Sequence, residues 1–128
     1  MKIKLKASSK VILEAEGDTH VDLFTDIASM QEVFSEEQCG CCNSSNIRFV
    51  ARQNADEDWF YEMKCREIKC RATLQFGSRK KPKGSLYPKR RWDALSPGEK
   101  TSRADQEELC KSGYLPNNGW WKYVKKTE

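Results

Sequence analysis

The stretch Cys39-Gly40-Cys41-Cys42, followed by a strand-like insert and then Cys65-Arg66-Glu67-Ile68-Lys69-Cys70, decides how this chain is read. Cys39 and Cys42 have C-x2-C spacing, which lets two thiolates grip one ion from a tight turn, and Gly40 eases the bend. Cys65 and Cys70 have the looser C-x4-C spacing, still within reach of the same ion. Four sulfurs at tetrahedral positions form a closed structural zinc site, because no coordination position remains for water. A set of reduced core cysteines, or one disulfide, is the competing reading, but it accounts less well for two knuckle-like pairs around a hairpin-length insert. Cys41 makes only a poor C-x1-C chelate and is read as a bystander, and the distant Cys110 as a free thiol.

The insert supplies strands. Ile47 to Gln53 and Trp59 to Lys64 are strand-like runs separated by the polar loop Asn54-Ala55-Asp56-Glu57-Asp58, and Arg71 to Phe76 leaves the second knuckle as a third strand. Knuckle, strand, loop, strand, knuckle, strand is the layout of a three-stranded antiparallel zinc ribbon. Upstream, Ile3, Leu5 and Ala7 alternate with lysines, and Val11, Leu13 and Ala15 alternate in the next run, which predicts a hairpin. Thr19 is a plausible N-cap with Asp22 three residues on, and Leu23, Phe24, Ile27, Met30 and Phe34 form an apolar stripe on a helix of about four turns. The expected class is α+β: an acidic ββα platform over residues 1–38, a zinc ribbon over 39–77, and a basic arm with a short helix and an aromatic terminal segment over 78–128. The short helix is expected after Ser96-Pro97-Gly98-Glu99 and should be peripheral, having few apolar residues.

Composition bounds the partners. Charged residues are 33% and apolar residues 38% of the 128, which allows only a thin core and favours a metal staple. The net charge of +4 is the sum of −4 over residues 1–38, +1 over 39–76 and +7 over 77–128, an acidic head on a basic tail. Seven of the fourteen residues from Ser78 to Arg91 are basic, with Pro82, Gly84 and Pro88 excluding a regular helix. Tyr87 and Trp92 are threaded through this arm, and cations with interleaved aromatics suit phosphates and unpaired bases. The candidate nucleic-acid contacts are Arg48, Arg52, Trp59 and Tyr61 on the ribbon, and Arg79, Lys80, Lys81, Lys83, Tyr87, Lys89, Arg90, Arg91 and Trp92 in the arm. Single strands are favoured over duplex because no recognition helix is evident. Trp120 and Trp121 are either a packed strand or a second stacking platform.

Catalysis finds little support. His20 is the only histidine and lies far from the cysteines, no nucleophile–base pairing is evident, and Asp56, Glu57 and Asp58 read as a solvated loop tip. Lysines alternating with aliphatic residues at the N-terminus, with no apolar h-region, and the lack of any run near the ~18 residues of a membrane span point to a reducing, cytoplasmic setting with no membrane partner.

The runs Ile47-Arg48-Phe49-Val50, Tyr61-Glu62-Met63-Lys64-Cys65, Leu74-Gln75-Phe76-Gly77, Leu86-Tyr87-Pro88-Lys89-Arg90 and Gly119-Trp120-Trp121-Lys122-Tyr123, with the first knuckle, resemble small phage and prophage zinc-ribbon proteins. Those proteins are associated with single-stranded DNA binding, replication and recombination. The resemblance implies zinc on the four cysteines, a DNA-facing basic arm and a place in the host-cell cytoplasm. The alternative class is a zinc-stabilised adaptor, with the acidic platform and ribbon binding a replication, recombination or host protein.

Overall fold

The computed structural model describes residues 1–80 and 84–122. The class is α+β: a two-stranded sheet and one long helix, then a four-stranded antiparallel sheet. The chain divides into two compact units. One joins Met1–Glu37 with Ser78–Tyr87, and the other joins Gln38–Gly77 with the chain from Pro88.

In the first unit, β1 (Lys2–Lys6) and β2 (Ile12–Glu16) form the expected hairpin, with Leu5 opposite Leu13 and Ile3 opposite Ala15. Leu13 and Ala15 are buried, while Lys2 and Lys4 face Glu16 and Glu14 on the opposite side of the sheet. Helix α1 (His20–Phe34) packs along β2. Its start is a full capping box: the Asp22 N–H donates to the Thr19 hydroxyl at 3.1 Å, and the Thr19 N–H donates to the Asp22 carboxylate at 3.2 Å. Leu23, Ile27, Met30 and Phe34 are half-buried, but Phe24 is 77% exposed and lies off the packed stripe. The apolar stripe is therefore narrower than the sequence suggests, because a two-stranded sheet is too small to cover more of a helix.

In the four-stranded sheet, β3 (Ile47–Gln53), β4 (Trp59–Cys65) and β5 (Thr73–Ser78) fall where alternation places them. The expected three strands are four: β6 (Leu86–Pro88), read from sequence as part of an irregular arm, pairs with β5 at the sheet edge. Pro88 excludes a central strand but not an edge one, where a missing N–H breaks no ladder. The stretch 78–128 is thus not one arm. Its first ten residues group with the N-terminal unit, where Arg79 reaches Glu32 of α1 at 2.7 Å, and the remainder folds back on the ribbon. Lys81 and Lys83, and the terminal residues from Tyr123, lie outside the described residues.

The core of the second unit is built on the metal-binding end: Cys39, Ile47, Met63, Cys65, Cys70, Ala72, Leu74 and Trp120. Trp120 is fully buried and Trp121 half-buried, so these residues pack. Trp121 continues the sheet through two backbone hydrogen bonds with Thr73, at 2.9 and 3.0 Å. The short helix α2 (Pro97–Ser102) has the expected capping box from Ser96 and Glu99. Its own residues are exposed or half-buried, as expected of a peripheral helix, but its C-cap Arg103 is buried, with the guanidinium 4.4 Å from the Trp121 ring and Nη2 donating to Gln75 Oε1 at 2.7 Å. Burial pushes the Arg103 guanidinium down to about 10, so the cation is held against its own desolvation. The anchor is a charged side chain, which is why counting apolar residues underrated this segment.

Two glycines record how tightly the terminal segment is pressed on the knuckle. A Cβ on Gly40 would collide with the Asn117 carbonyl and lie 2.7 Å from the Trp120 ring, and one on Gly119, at φ +91°, would lie 2.6 Å from the Lys89 carbonyl. Gly40→Ala should therefore destabilise the metal-loaded protein by about 1–3 kcal/mol through overpacking. Gly98→Ala, which meets nothing within 4 Å, should be close to neutral, and thermal melts of the two variants make the comparison.

Candidate metal centre

The first knuckle is a hydrogen-bonded turn. The Cys39 N–H donates to the Ser44 carbonyl and the Asn43 N–H to the Cys39 carbonyl, both at 2.9 Å, with Asn43 in the left-handed region at φ +62°. The Cys41 N–H points at Cys39 Sγ, 3.3 Å away, so the backbone already offers a donor to that sulfur. The second knuckle starts at the end of β4, where Cys65 pairs with Ile47 and its N–H donates to Ala72 at 2.9 Å. The Cys70 and Arg71 N–H groups both donate to the Glu67 carbonyl, at 3.0 and 3.1 Å, and Arg71 turns the chain out at φ +52°. The longer C-x4-C loop thereby closes into a turn and returns Cys70 to the cluster.

The four sulfurs converge. Cys39 Sγ lies 3.6 Å from Cys70 Sγ, Cys42 Sγ lies 3.6 Å from Cys65 Sγ, and all four are within 4.8 Å of one another. Tetrahedral thiolates at ~2.3 Å from a central ion sit ~3.8 Å apart, so the cluster has the dimensions of a single-ion site. None of the six cysteines is in a disulfide. Among the described residues this is the only group of three or more cysteine, histidine or acidic side chains arranged to hold an ion. Cys41 is outside it, its Sγ directed at the Trp120 carbonyl 3.6 Å away, and Cys110 contacts the Gln106 carbonyl. His20 is exposed at the first position of α1.

Electrostatics favour a cation here. Burial pushes the Cys39 thiol up to about 11 and the Cys65 thiol up to about 12. The exposed Cys42 is shifted down, chiefly by the Ser44 backbone N–H. Buried thiols with such values stay protonated at neutral pH unless a positive charge replaces the protons.

The candidate nucleic-acid contacts on β3 and β4 are split between two faces. The register puts Arg48, Arg52, Phe60, Glu62 and Lys64 on one face of the β3–β4 pair, and Phe49, Trp59 and Tyr61 on the other, together with the buried Met63 and Cys65. Arg52 is engaged on its own face, 2.6 Å from the buried Glu62 carboxylate and stacked on Phe60 at 4.7 Å. That face borders a cleft of about 260 Å³ in which the Lys89–Glu99 pair, 2.5 Å apart, closes the far side. Three more of the arm's cations are similarly occupied. Arg79 pairs with Glu32 and stacks on Tyr87, Arg90 donates to the Asn118 carbonyl at 2.6 Å, and Arg91 pairs with Asp93 and lies 5.0 Å from the Tyr114 ring. Trp92 and Tyr87 are half-buried, and Lys80 is exposed. Composition counts these charges but not their partners, so Arg103, Glu62 and the ion pairs carried no signal in the sequence beyond their residue types.

The Asp56–Asp58 stretch is a hairpin turn held by the Asn54 side chain, which accepts from the Asp56 and Asp58 N–H groups at 2.9 and 3.0 Å. Among the described residues, no helix is long and apolar enough to cross a membrane. No family model, curated protein or solved structure matches this chain.

The cluster makes two predictions. Elemental analysis should find one ion per chain, lost in Cys65→Ser or Cys70→Ser and retained in Cys41→Ser and Cys110→Ser. Because Cys39 and Cys65, at about 11 and about 12, must release protons to bind, apparent metal affinity should rise with pH between 6 and 8 in a chelator competition. A flat profile would exclude thiolate ligation by this set.

Proposed function

We propose that the chain is a non-enzymatic, zinc-dependent nucleic-acid-binding protein whose partner is single-stranded DNA. Zinc is the ion because an all-thiolate tetrahedral set suits it and leaves no position for water, so the metal holds the ribbon together and catalyses nothing. In structural terms the second unit is a zinc ribbon with a fourth strand added at its edge.

The observation that carries the nucleic-acid reading is the aromatic row beyond the metal end of β3–β4. Phe49, Trp59 and Tyr61 lie on one face and remain 48%, 56% and 38% exposed. Aromatic rings held on a rigid sheet reward unstacked bases, which favours a single strand over a duplex. The resemblance to phage zinc-ribbon proteins supplies the biological setting, DNA replication or recombination in the cytoplasm of a host cell. A second reading, an adaptor for a replication or recombination protein, rests on Val21 and Phe24, which stand 73% and 77% exposed one turn apart on α1.

A titration with single- and double-stranded oligonucleotides across salt separates the two. For DNA binding through about five phosphates, log affinity for the single strand should fall with log salt at a slope near −3.5. Trp59→Ala and Tyr61→Ala should each weaken binding by about 1–3 kcal/mol. Because Trp120 is fully buried, quenching of tryptophan fluorescence on binding should diminish in Trp59→Ala. A salt slope near zero, with a protein partner whose capture is lost in Phe24→Ala, favours the adaptor instead.

A further inference from the structure

The loop between Cys65 and Cys70 faces solvent, with Arg66, Glu67, Ile68 and Lys69 all exposed. Both its ends are in the sulfur cluster, and the Glu67 carbonyl accepts from two N–H groups at its C-terminal side, so it is pinned at its ends and across its middle. At its tip Ile68 is 82% exposed, more than any other large apolar side chain described. A single exposed aliphatic residue is ordinary. This one is flanked by Arg66, Lys69 and Arg71, all exposed.

The loop's charge is not neutralised locally. Its one carboxylate, Glu67, is turned away to accept from the Ser44 hydroxyl at 2.9 Å. Among the described residues, Arg66, Lys69 and Arg71 make no ion pair. Arg48, on β3 next to the Ile47–Cys65 pair from which the loop departs, adds a further cation, while Lys64 opposite it lies 3.6 Å from the Glu62 carboxylate. This contrasts with the basic arm, where Arg79, Lys89 and Arg91 each hold a carboxylate.

We infer that the Cys65–Cys70 loop is the phosphate-gripping element of the protein, with Arg66, Lys69 and Arg71 on the backbone of a single-stranded nucleic acid and Ile68 against an unpaired base. This rests on the single-strand reading and names the surface that reading needs. The cations supply affinity through counterion release, and Ile68 supplies an apolar contact that a stacked duplex does not offer. Metal binding matters because an ion on Cys65 and Cys70 would tie both ends of the loop to one centre.

The test uses the full, metal-loaded chain and a 20-nucleotide oligothymidine, titrated across salt. Arg66→Ala combined with Lys69→Ala should make the salt slope shallower by about 1.4, roughly 0.7 for each lost phosphate contact. Ile68→Ser should lower affinity at every salt concentration with the slope unchanged, and Lys4→Ala on the N-terminal hairpin should leave the slope as it is. Metal content is measured on each variant. If the alanine pair loses its ion, Arg66→Gln with Lys69→Gln keeps similar side-chain bulk and is held to the same slope. Wild-type binding with a slope that neither pair alters overturns this inference and leaves the single-strand reading standing. Failure of the wild-type protein to bind the oligonucleotide overturns both.

Discussion

Convergence of four sulfurs from two distant turns is the constraint on which the rest of the second unit depends. Three of the four, Cys39, Cys65 and Cys70, belong to the same buried cluster as Ile47, Met63, Leu74 and Trp120. Metal site and hydrophobic core are therefore one object. A chain with 33% charged residues has little apolar area to bury, and an ion held by these four thiolates would substitute for the missing interior. The high proton affinities of Cys39 and Cys65 express the same fact, since those sulfurs sit where an uncompensated negative charge would be costly.

The terminal segment completes this arrangement. Trp120 enters the core, Trp121 pairs with Thr73, and Gly40 and Gly119 allow backbone approaches that no side chain would permit. Arg103 then sits on Trp121 as a buried cation, held by a π face and by the Gln75 side chain. A stretch that looks like a polar appendage thus closes one side of the ribbon.

Charge and aromaticity are distributed by the sheet rather than by the sequence. Alternation along β3 and β4 sends Arg48 and Arg52 to one face and Trp59 and Tyr61 to the other, although all four lie in neighbouring strands. Three arm cations, Arg79, Lys89 and Arg91, are used internally, on Glu32, Glu99 and Asp93, whereas in the second knuckle loop positive charge stands without an ion pair beside an exposed apolar residue.

Local chemistry was enough to pick out the four cysteines that cluster, the first hairpin, the capped helices and strands β3 to β5. Knuckle spacing, period-two alternation and capping boxes are signals carried within a few residues. The fourth strand, the division of the basic stretch between two units, the burial of Arg103 and the pairing of the arm cations were decided only by tertiary structure. Each depends on what lies opposite a residue in space: a free edge on β5 for Leu86–Pro88, Glu32 for Arg79, the Trp121 ring for Arg103. A sequence lists charges and aromatics one at a time, whereas their availability is a property of pairs that only folding brings together.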